Sequence, residues 1–415
     1  MNFDYINNNK ITIQFKLIII IALIYIIFNY KEWKKDIEKK LLNFIKYNKQ
    51  EININNTEDH LNSIGKYINL IYNKQFEIIN YNSYIINPKI SFVSPVFNKS
   101  KYLEPLIISI QHQLLEEFEI IFIDDYSTDD SVKIINNFSS IDKRIKLIKN
   151  KRNKGTLYSR CQGSLKSLGE YIIFIDSDDL LLKDGLFNSY NYIKKKDLSI
   201  IQFNTIIKRN DNITFNSRYY YKKIIRQPLL SYIFYYNEST YMGDELNTVL
   251  WDKLIDRKTT INAVNYIGKD YYNKYIQIEN DVILLFSIFH EAISYQYINE
   301  IGYFYFRNNN DSITNSWKDY KLANSIVHGI FININFLYDK TGNTTLDKLF
   351  CVFKLQQSFK RYTFSLINAK KEYPFIRNIL YKLSSSPYID KTNKMLVIII
   401  FRSLSLLYKL VAKKT

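Results

Sequence analysis

Short apolar runs alternate with stretches of helical spacing between residues 90 and 206, and this alternation constrains the fold more than any other feature. The apolar runs have the length of strands, and they lie at 90–96, 119–124, 145–149, 171–175 and 198–206. The stretches between them repeat their apolar residues at helical intervals, at 103–115, 129–138, 155–168 and 183–195. Near-continuous Ile, Phe and Val runs suit strands that are covered on both faces. The pattern therefore predicts an α/β domain with a mainly parallel sheet flanked by helices.

Polar and acidic residues follow three of these predicted strands at the point where each strand ends. They lie at 94–98, 124–129 and 176–179. In open α/β sheets, ligands bind in the crevice outside the carboxyl ends of the strands. We therefore expect these three segments to converge on one crevice.

Asp176 and Asp178 are the sharpest local signal of a metal site. An isolated Asp-x-Asp pair more often caps a helix or solvates a loop, but here an Ile-Ile-Phe-Ile strand precedes it and other acidic strand ends accompany it. Carboxylate oxygens are hard ligands that suit Mg²⁺ or Mn²⁺, which also bind phosphate oxygens. We expect Mn²⁺ or Mg²⁺ at these two residues.

The acidic segment after the second strand has a simpler interpretation for most of its residues. Ser127 or Thr128 is expected to cap the following helix, with Asp129 in its positive first turn. This leaves Asp124 at the strand tip, where its carboxylate can accept a hydrogen bond from a nucleobase N–H.

Taken together, these segments resemble glycosyltransferase family 2 in order and spacing over residues 89 to 205. The resemblance is carried by Ser94-Pro95-Val96-Phe97-Asn98, Asp124-Asp125-x-Ser-Thr-Asp129, Asn153-Lys154-Gly155, Arg160, Gly163 and Gly169-Glu170-Tyr171 leading to Asp176-Ser-Asp178-Asp179. It implies a GT-A fold, in which a Rossmann-like half that binds a nucleotide-sugar joins a half that binds the acceptor.

The resemblance also implies roles for residues in the nucleotide-binding half. Pro95, Val96 and Asn98 would frame the nucleoside through backbone contacts. Asp124 would bind the base, and Arg160 would lie near the nucleotide.

The same resemblance implies that Asp176 meets the ribose or the metal, and that Asp178 meets the metal and the diphosphate. The chain departs from the family at Tyr126, where Gly is frequent, and at Cys161, where Asn often follows the Arg. We expect little cost from Tyr126. Cys161 removes one polar contact and is expected to bear on nucleotide preference.

In the second half, Glu279-Asn280-Asp281 opens an apolar helical stretch and resembles the acidic motif whose Asp is the family's catalytic base. Asp281 is the better match and Glu279 the fallback, although acids are also favourable at any helix start. Trp251 lies in a segment that resembles the family's Trp-Asn-Lys-Leu. It is an acceptor-site candidate that could stack on a sugar or pack in the core.

By resemblance, the implied reaction is transfer of a hexose or N-acetylhexosamine from a nucleotide-sugar, by default a UDP-sugar, with inversion. The acceptor would be a glycan, a lipid or a protein. The Gln-x-x-Arg-Trp motif of the family's polymer synthases is absent, so we expect a non-processive enzyme. Two alternatives remain open. One is a catalytically silent nucleotide-binding membrane scaffold of the same fold. The other is a sugar nucleotidyltransferase, which would carry a Gly-rich loop after the first strand.

An apolar stretch at residues 11–30 is long enough to cross a hydrocarbon core of ~30 Å as a helix. We favour an uncleaved anchor over a signal peptide, because no small-residue cleavage pattern follows. We expect a single-pass protein of the endomembrane system (ER or Golgi). Lysines after the span favour a cytosolic catalytic domain, but the side of the membrane stays open.

The predicted organisation has six parts in chain order. These are a tail at 1–10, the anchor at 11–30, a partly helical stem at 31–88, the nucleotide-binding half at 89–205, the acceptor-binding half at 206–320 and a helical region at 321–415.

Composition excludes several other classes of protein. The two Cys rule out a disulfide scaffold, and the four His make a His-based metal site improbable. The net charge of +17 is spread along the chain without a nucleic-acid-binding motif. We therefore expect the basic surface to serve an anionic membrane or nucleotide phosphates, and no nucleic acid.

Overall fold

The computed structural model describes residues 49–50, 57–73, 75–209, 212–215, 220–221, 224–227, 249–276, 280–307, 332, 336 and 340. All of them belong to one compact unit, residues 44–350. The predicted anchor at 11–30 and fallback base Glu279 lie outside the described residues, as does the C-terminal region at 321–415 apart from three helical positions. None of the described helices is both long and apolar enough to span a bilayer.

Helices and strands alternate as the sequence predicts. The helices are α1 (Thr57–Tyr72), α2 (Ser100–Gln111), α3 (Ser131–Ile141), α4 (Thr156–Lys166), α5 (Gly185–Lys196), α6 (Arg257–Ile267), α7 (Lys269–Tyr272) and α8 (Asn280–Glu291). The strands are β1 (Lys49–Gln50), β2 (Ile90–Val96), β3 (Phe118–Asp124), β4 (Ile145–Lys149), β5 (Tyr171–Phe174), β6 (Leu180–Leu181), β7 (Ile200–Arg209), β8 (Asn212–Phe215), β9 (Tyr220–Tyr221), β10 (Ile225–Arg226), β11 (Lys253–Asp256) and β12 (Ser294–Arg307).

One ten-stranded sheet organises the described fold, with the order β10-β12-β7-β11-β5-β2-β3-β4 and with β6 and β8 paired at its side. The pairs β4–β3, β3–β2, β2–β5 and β7–β12 are parallel, whereas β11 is antiparallel to both β5 and β7. Every residue of β3 is buried, as expected for a strand covered on both faces. The α/β prediction is confirmed, but the expected mainly parallel sheet is wrong. The described sheet is mixed, because β10 and β6 also pair antiparallel with β12, and β8 pairs antiparallel with β7. A mixed sheet agrees with the GT-A architecture that the resemblance implies.

The two predicted halves share this sheet. The boundary predicted at 205/206 falls inside β7, which pairs with β11 and β12 from the second half. Because hydrogen bonds run without interruption from β4 to β12, the carboxyl ends of β2, β3 and β5 are held rigidly relative to β7 and β12.

Part of the predicted stem packs on the α/β unit. Helix α1 buries Ile64, Ile68 and Ile71 against a second apolar cluster that includes Leu180 and Phe304. Further along, the backbone of Tyr81 exchanges hydrogen bonds with residues 141 and 143 after α3. Helix α1 and the segment at Tyr81 therefore pack on the α/β unit instead of standing apart from it.

The loops after β2 and β3 are tied together by side chains that accept backbone hydrogen bonds. Asp129 accepts from Ser100 N at 2.9 Å and from Ser131 N at 3.0 Å, so that it joins the first residues of α2 and α3. Asn98 accepts from Thr128 N at 2.8 Å and donates its own N–H to Ser127 Oγ. Helix α3 begins at Ser131, so the expectation that Ser127 or Thr128 caps it is wrong. These two residues bind Asn98 instead.

Asp129 supports a prediction about stability and pH. Burial of part of this carboxyl opposes ionisation, but the hydrogen bonds from Ser131 and Ser100 outweigh it and lower the pKa of Asp129 below the ordinary value of 3.8. The contribution of Asp129 to the unfolding free energy is therefore complete above about pH 3.8. It is lost as the pH falls through the lowered pKa that this carboxyl has in the folded protein. At neutral pH, Asp129→Asn should cost about 1 kcal/mol of unfolding free energy, a value limited by solvent because the side chain is exposed.

The measurement is urea unfolding of both proteins at neutral pH and at several values below pH 4. The matched control is Asp130→Asn, which removes the same charge from a neighbour whose side chain does not cap α3. The difference between wild type and Asp129→Asn should shrink as the pH falls. A difference that stays constant with pH, or one no larger than the control's, would contradict the assigned role.

Candidate functional site

The carboxyl ends of β2, β3 and β5 lie side by side, because β2 pairs with both of its neighbours. The convergence that the sequence predicts is confirmed by contacts between the loops. Asn98 after β2 meets Ser127 after β3, and Lys99 after β2 reaches Asp178 after β5 with Nζ–Oδ2 at 2.7 Å. The three predicted segments therefore lie along one edge of the sheet.

Asp124 ends β3 at this edge and is buried, with 3% of its surface exposed. Within the part of the chain that the structure describes, its carboxylate accepts two long hydrogen bonds, both at 3.3 Å, from the N–H of Ser127. Val96 is buried and accepts the N–H of Asp125 on its carbonyl at 2.7 Å, while Pro95 is half-buried beside it. These residues lie where the resemblance puts the nucleoside, and their contacts with it stay a prediction.

Asp125 has a different task from Asp124, and the sequence analysis missed it. Its carboxylate accepts from Asn150 Nδ2 at 2.8 Å and from the backbone N–H groups of Lys154 and Gly155, each at 2.7 Å. Gly155 has a φ of +88° and lies so close to Ile276 that a Cβ would come within 3.0 Å of that residue's carbonyl oxygen. Asp125 thereby fixes the loop that leads into α4, against the chain segment that precedes α8.

Tyr126 adopts a φ of +73°. A left-handed conformation costs a non-glycine residue roughly 1–2 kcal/mol, so the expectation of little cost at this position is wrong in conformational terms. The family's frequent Gly at this position suits such a backbone. The ring of Tyr126 is 55% exposed.

Arg160 is the centre of the charged cluster. It lies on α4 with its side chain 4% exposed, and it donates from Nη2 to Asp176 Oδ1 at 2.7 Å and from Nη1 to Asp281 Oδ1. Burial lowers the pKa of this guanidinium, but the two carboxylates outweigh burial and raise it, so Arg160 stays charged. The structure therefore brings the predicted nucleotide residue Asp176 and the predicted base Asp281 onto one side chain.

Asp281 reaches this edge from the first turn of α8, where the positive end of the helix favours a carboxylate. Its side chain keeps 23% of its surface exposed, so a second molecule can approach it. Asp176 is 32% exposed and Asp178 is 18% exposed. Within the described part of the chain, no group of three or more His, Cys, Asp or Glu residues is arranged to hold a metal ion.

Asp179 is a further residue of this edge that sequence reasoning did not single out. Its buried carboxyl accepts from Tyr303 Oη at 2.7 Å and from Phe306 N at 3.0 Å, while Tyr303 Oη accepts from Asp176 N at 3.1 Å. Burial, with the charges of Asp178 and Asp176, raises the pKa of Asp179 well above its ordinary value. Asp179 thus ties the acidic loop after β5 to β12.

Two residues that the family resemblance singles out are buried. Trp251 is 6% exposed, and its ring stacks on Tyr303 and Tyr305 with centroids 4.8 and 5.3 Å apart. Of the two roles left open for Trp251, core packing is the one for which the structure provides contacts. Cys161, the residue expected to bear on nucleotide preference, is fully buried, and burial raises the pKa of its thiol.

The hydroxyl of Tyr303 leads to a prediction about how the acidic loop is held. Tyr303→Phe removes the donor to Asp179 and the acceptor for Asp176 N, and leaves buried groups unpaired. The unfolding free energy should fall by about 1–3 kcal/mol, measured by urea denaturation. Tyr84→Phe is the control, because Tyr84 is 74% exposed. A loss equal to the control's would show that this hydroxyl does not hold the loop.

Comparison with known proteins finds a family similarity for part of the chain. Residues 91–249 match the family model described as Glycosyl transferase family 2. An uncharacterized glycosyltransferase of Haemophilus influenzae is 41% identical over 111 residues, which are 27% of this chain and 44% of that protein. The GalNAc(5)-diNAcBac-PP-undecaprenol beta-1,3-glucosyltransferase of Campylobacter jejuni is 39% identical over 100 residues, 24% of this chain and 32% of that protein.

Among solved structures, S. aureus TarS 1–349 aligns with a TM-score of 0.49 at 16% identity, covering 70% of this chain and 79% of that one. The complex of the same protein with UDP aligns with a TM-score of 0.46 at 16% identity, covering 66% and 72%. The chain spans less than half the length of the two curated relatives named above. Over residues 91–249, the chain is similar to glycosyl transferase family 2.

Proposed function

We propose that the protein transfers a sugar from a nucleotide-sugar, by default a UDP-sugar, to a hydroxyl group of an acceptor. The sugar would be a hexose or an N-acetylhexosamine. The observation that carries this proposal is the position of Arg160, which holds Asp176 and Asp281 together at the edge where the strands end. A donor-side carboxylate and a candidate base thus share one site, as transfer between two substrates requires.

The donor would bind across the ends of β2, β3 and β5. Asp124 would accept a hydrogen bond from the N–H of the base, because the hydrogen bonds of its buried carboxylate to Ser127 are long. Pro95, Val96 and Asn98 would frame the nucleoside through backbone contacts. Asp176 would lie near the ribose, with Arg160 fixing its orientation from behind.

Asp281 would act as the general base on the acceptor. Arg160 binds Oδ1 of this carboxylate, so Oδ2 would take the proton from the attacking hydroxyl. Because the nucleophile comes from the acceptor itself, direct attack opposite the leaving nucleoside diphosphate would invert the anomeric carbon. No covalent enzyme intermediate is needed.

The carboxylates of Asp176 and Asp178 fit a divalent cation by their chemistry, because Mg²⁺ and Mn²⁺ bind through one or two carboxylates together with substrate phosphates and water. Such an ion, when bound, would offset the negative charge of the leaving diphosphate. Asp178 would change its partner more readily, although it is the less exposed of the two, because its partner Lys99 is a flexible side chain, whereas Asp176 is held by the buried Arg160.

The acceptor would be a glycan, a lipid or a protein, and transfer would be non-processive. The C. jejuni relative and a Bacillus spizizenii relative, 34% identical over 115 residues, 27% of this chain and 18% of that protein, are glucosyltransferases, the second a poly(ribitol-phosphate) beta-glucosyltransferase. An acceptor panel should therefore include undecaprenol-linked glycans and poly(ribitol phosphate). Attachment to a membrane through residues 11–30 would suit a lipid-linked acceptor.

The test is a donor screen of the full-length protein in detergent, with Mn²⁺ or with EDTA. UDP-glucose, UDP-GlcNAc and other nucleotide-sugars are offered with and without the acceptor panel, and released nucleotide and glycosylated product are both measured. We expect one donor to be consumed with Mn²⁺ and to be spared with EDTA. Nucleotide binding with no turnover of any donor would favour a catalytically silent scaffold instead.

A first prediction concerns the base. Asp281→Asn should reduce the rate of transfer by about 10²–10⁴-fold, which is the usual contribution of a positioned base. The dissociation constant of the donor should barely change, because Asn still accepts from Arg160. Glu279→Gln is the comparison variant and should be much milder. If Glu279→Gln abolishes turnover and Asp281→Asn does not, the base is Glu279.

A second prediction concerns the cation. Asp178→Asn should remove the dependence of UDP binding on Mn²⁺, because an amide is a poor substitute for a carboxylate ligand. Calorimetric titration of UDP with Mn²⁺ and with EDTA checks this, with Asp184→Asn, on the turn before α5, as the control for the loss of one acidic charge. A Mn²⁺-dependent affinity that matches wild type would remove Asp178 from the metal site.

A further inference from the structure

Two cations of the chain already neutralise carboxylates at this edge, and they differ in how they are held. Arg160 is buried and binds both Asp176 and Asp281. Lys99 binds Asp178 with Nζ–Oδ2 at 2.7 Å, at side-chain exposures of 15% and 18%. Arginine is fixed by its planar fork of donors, whereas lysine carries a point charge on a flexible four-carbon stem.

The backbone of Lys99 is fixed although its stem is flexible. Its N–H donates to Ser131 Oγ at 2.9 Å, and the preceding Asn98 is held in a left-handed conformation with φ of +52°. The ammonium lies 5.5 Å from the centre of the Tyr102 ring, on the first turn of α2. Lys99 can therefore swing its ammonium about a fixed Cα without any movement of the loop.

Charge at the edge makes such a swing useful. The carboxylates of Asp176, Asp178 and Asp281 outnumber the cations Arg160 and Lys99. A diphosphate adds negative charge to these residues, so besides any bound metal ion it is stabilised by a cation that can leave its carboxylate for the phosphates. Arg160 is bound on two sides and cannot supply one.

We infer that Lys99 exchanges partners when the donor binds. A divalent cation replaces its ammonium on Asp178, and the released ammonium binds the diphosphate. This inference rests on the proposed function and deepens it, because it assigns to Lys99 both competition with the metal and recognition of the donor. In the absence of ligands, the Lys99–Asp178 ion pair then neutralises the carboxylate of Asp178, until the metal and the nucleotide bind together.

A fixed ion pair would behave differently. If Lys99 and Asp178 served only to tie the loop after β2 to the loop after β5, loss of Lys99 would loosen the edge and weaken the binding of metal and of nucleotide alike. If Lys99 exchanges partners, its loss should strengthen the binding of metal and weaken the binding of nucleotide. A merely structural role does not produce such opposite effects.

The experiment uses the full-length protein and two titrations for each variant. In the first, Mn²⁺ is titrated without nucleotide, and free Mn²⁺ is measured by electron paramagnetic resonance. Lys99→Gln should bind Mn²⁺ about three- to tenfold more tightly than wild type, since the competing ammonium is gone. Lys99→Arg keeps a competing cation and should stay close to wild type.

In the second titration, UDP is added at saturating Mn²⁺ and followed by calorimetry. Lys99→Gln should bind UDP about 10- to 100-fold more weakly, the usual range for loss of a hydrogen bond to a charged group. Lys101→Gln is the matched control, because Lys101 is an exposed lysine that also faces the Tyr102 ring, at 5.2 Å. It removes the same charge and should leave both affinities near wild type.

The outcomes separate this inference from the proposed function. If Lys99→Gln matches Lys101→Gln in both titrations, or if it weakens the binding of both Mn²⁺ and UDP, the exchange is overturned and the transferase proposal stands. Tighter Mn²⁺ binding with unchanged UDP affinity also overturns it, because the ammonium then does not reach the diphosphate. A wild-type protein that binds no nucleotide overturns both proposals.

Discussion

A single buried arginine determines how the candidate site is assembled. Arg160 projects from α4 and binds two carboxylates that lie 16 and 121 residues away in the chain. Burying a guanidinium without such partners would cost several kcal/mol, and removing one partner of a buried pair typically costs 3–5 kcal/mol, less where the carboxylates keep some exposure as here. Once α4 packs on the sheet, the end of β5 and the start of α8 are therefore both drawn to the same point.

Other contacts reinforce this arrangement from the opposite side. Asp179 and Tyr303 join the acidic loop after β5 to β12, and Trp251 stacks on the same Tyr303. Asp125 fixes the loop before α4, which in turn touches the backbone of Ile276 ahead of α8. All these elements belong to one hydrogen-bonded sheet or pack directly on it, so Asp176 and Asp281 are held at a defined separation. Such an arrangement suits the proposed transfer between two substrates.

Much of the fold could be predicted because its signals are local. The runs at 90–96 and 145–149 became strands with the predicted bounds, since short apolar-rich runs between helical stretches favour strands. Helix α3 was misjudged at its start, because Ser127 and Thr128 are good capping residues that a neighbouring loop recruits instead. The cost at Tyr126 was missed for a related reason, since its backbone angle depends on the loop that Asn98 holds.

The sequence by itself determined the α/β class, the strand ends at which carboxylates gather, and the residues that resemble glycosyltransferase family 2. These follow from periodicity and from short motifs, which act over a few residues. Only the tertiary structure decided that Arg160 joins Asp176 to Asp281, that Lys99 neutralises Asp178 across 79 residues, and that Trp251 and Cys161 are buried. Such contacts depend on the orientation of side chains that meet only after packing, and no spacing along the chain encodes that orientation.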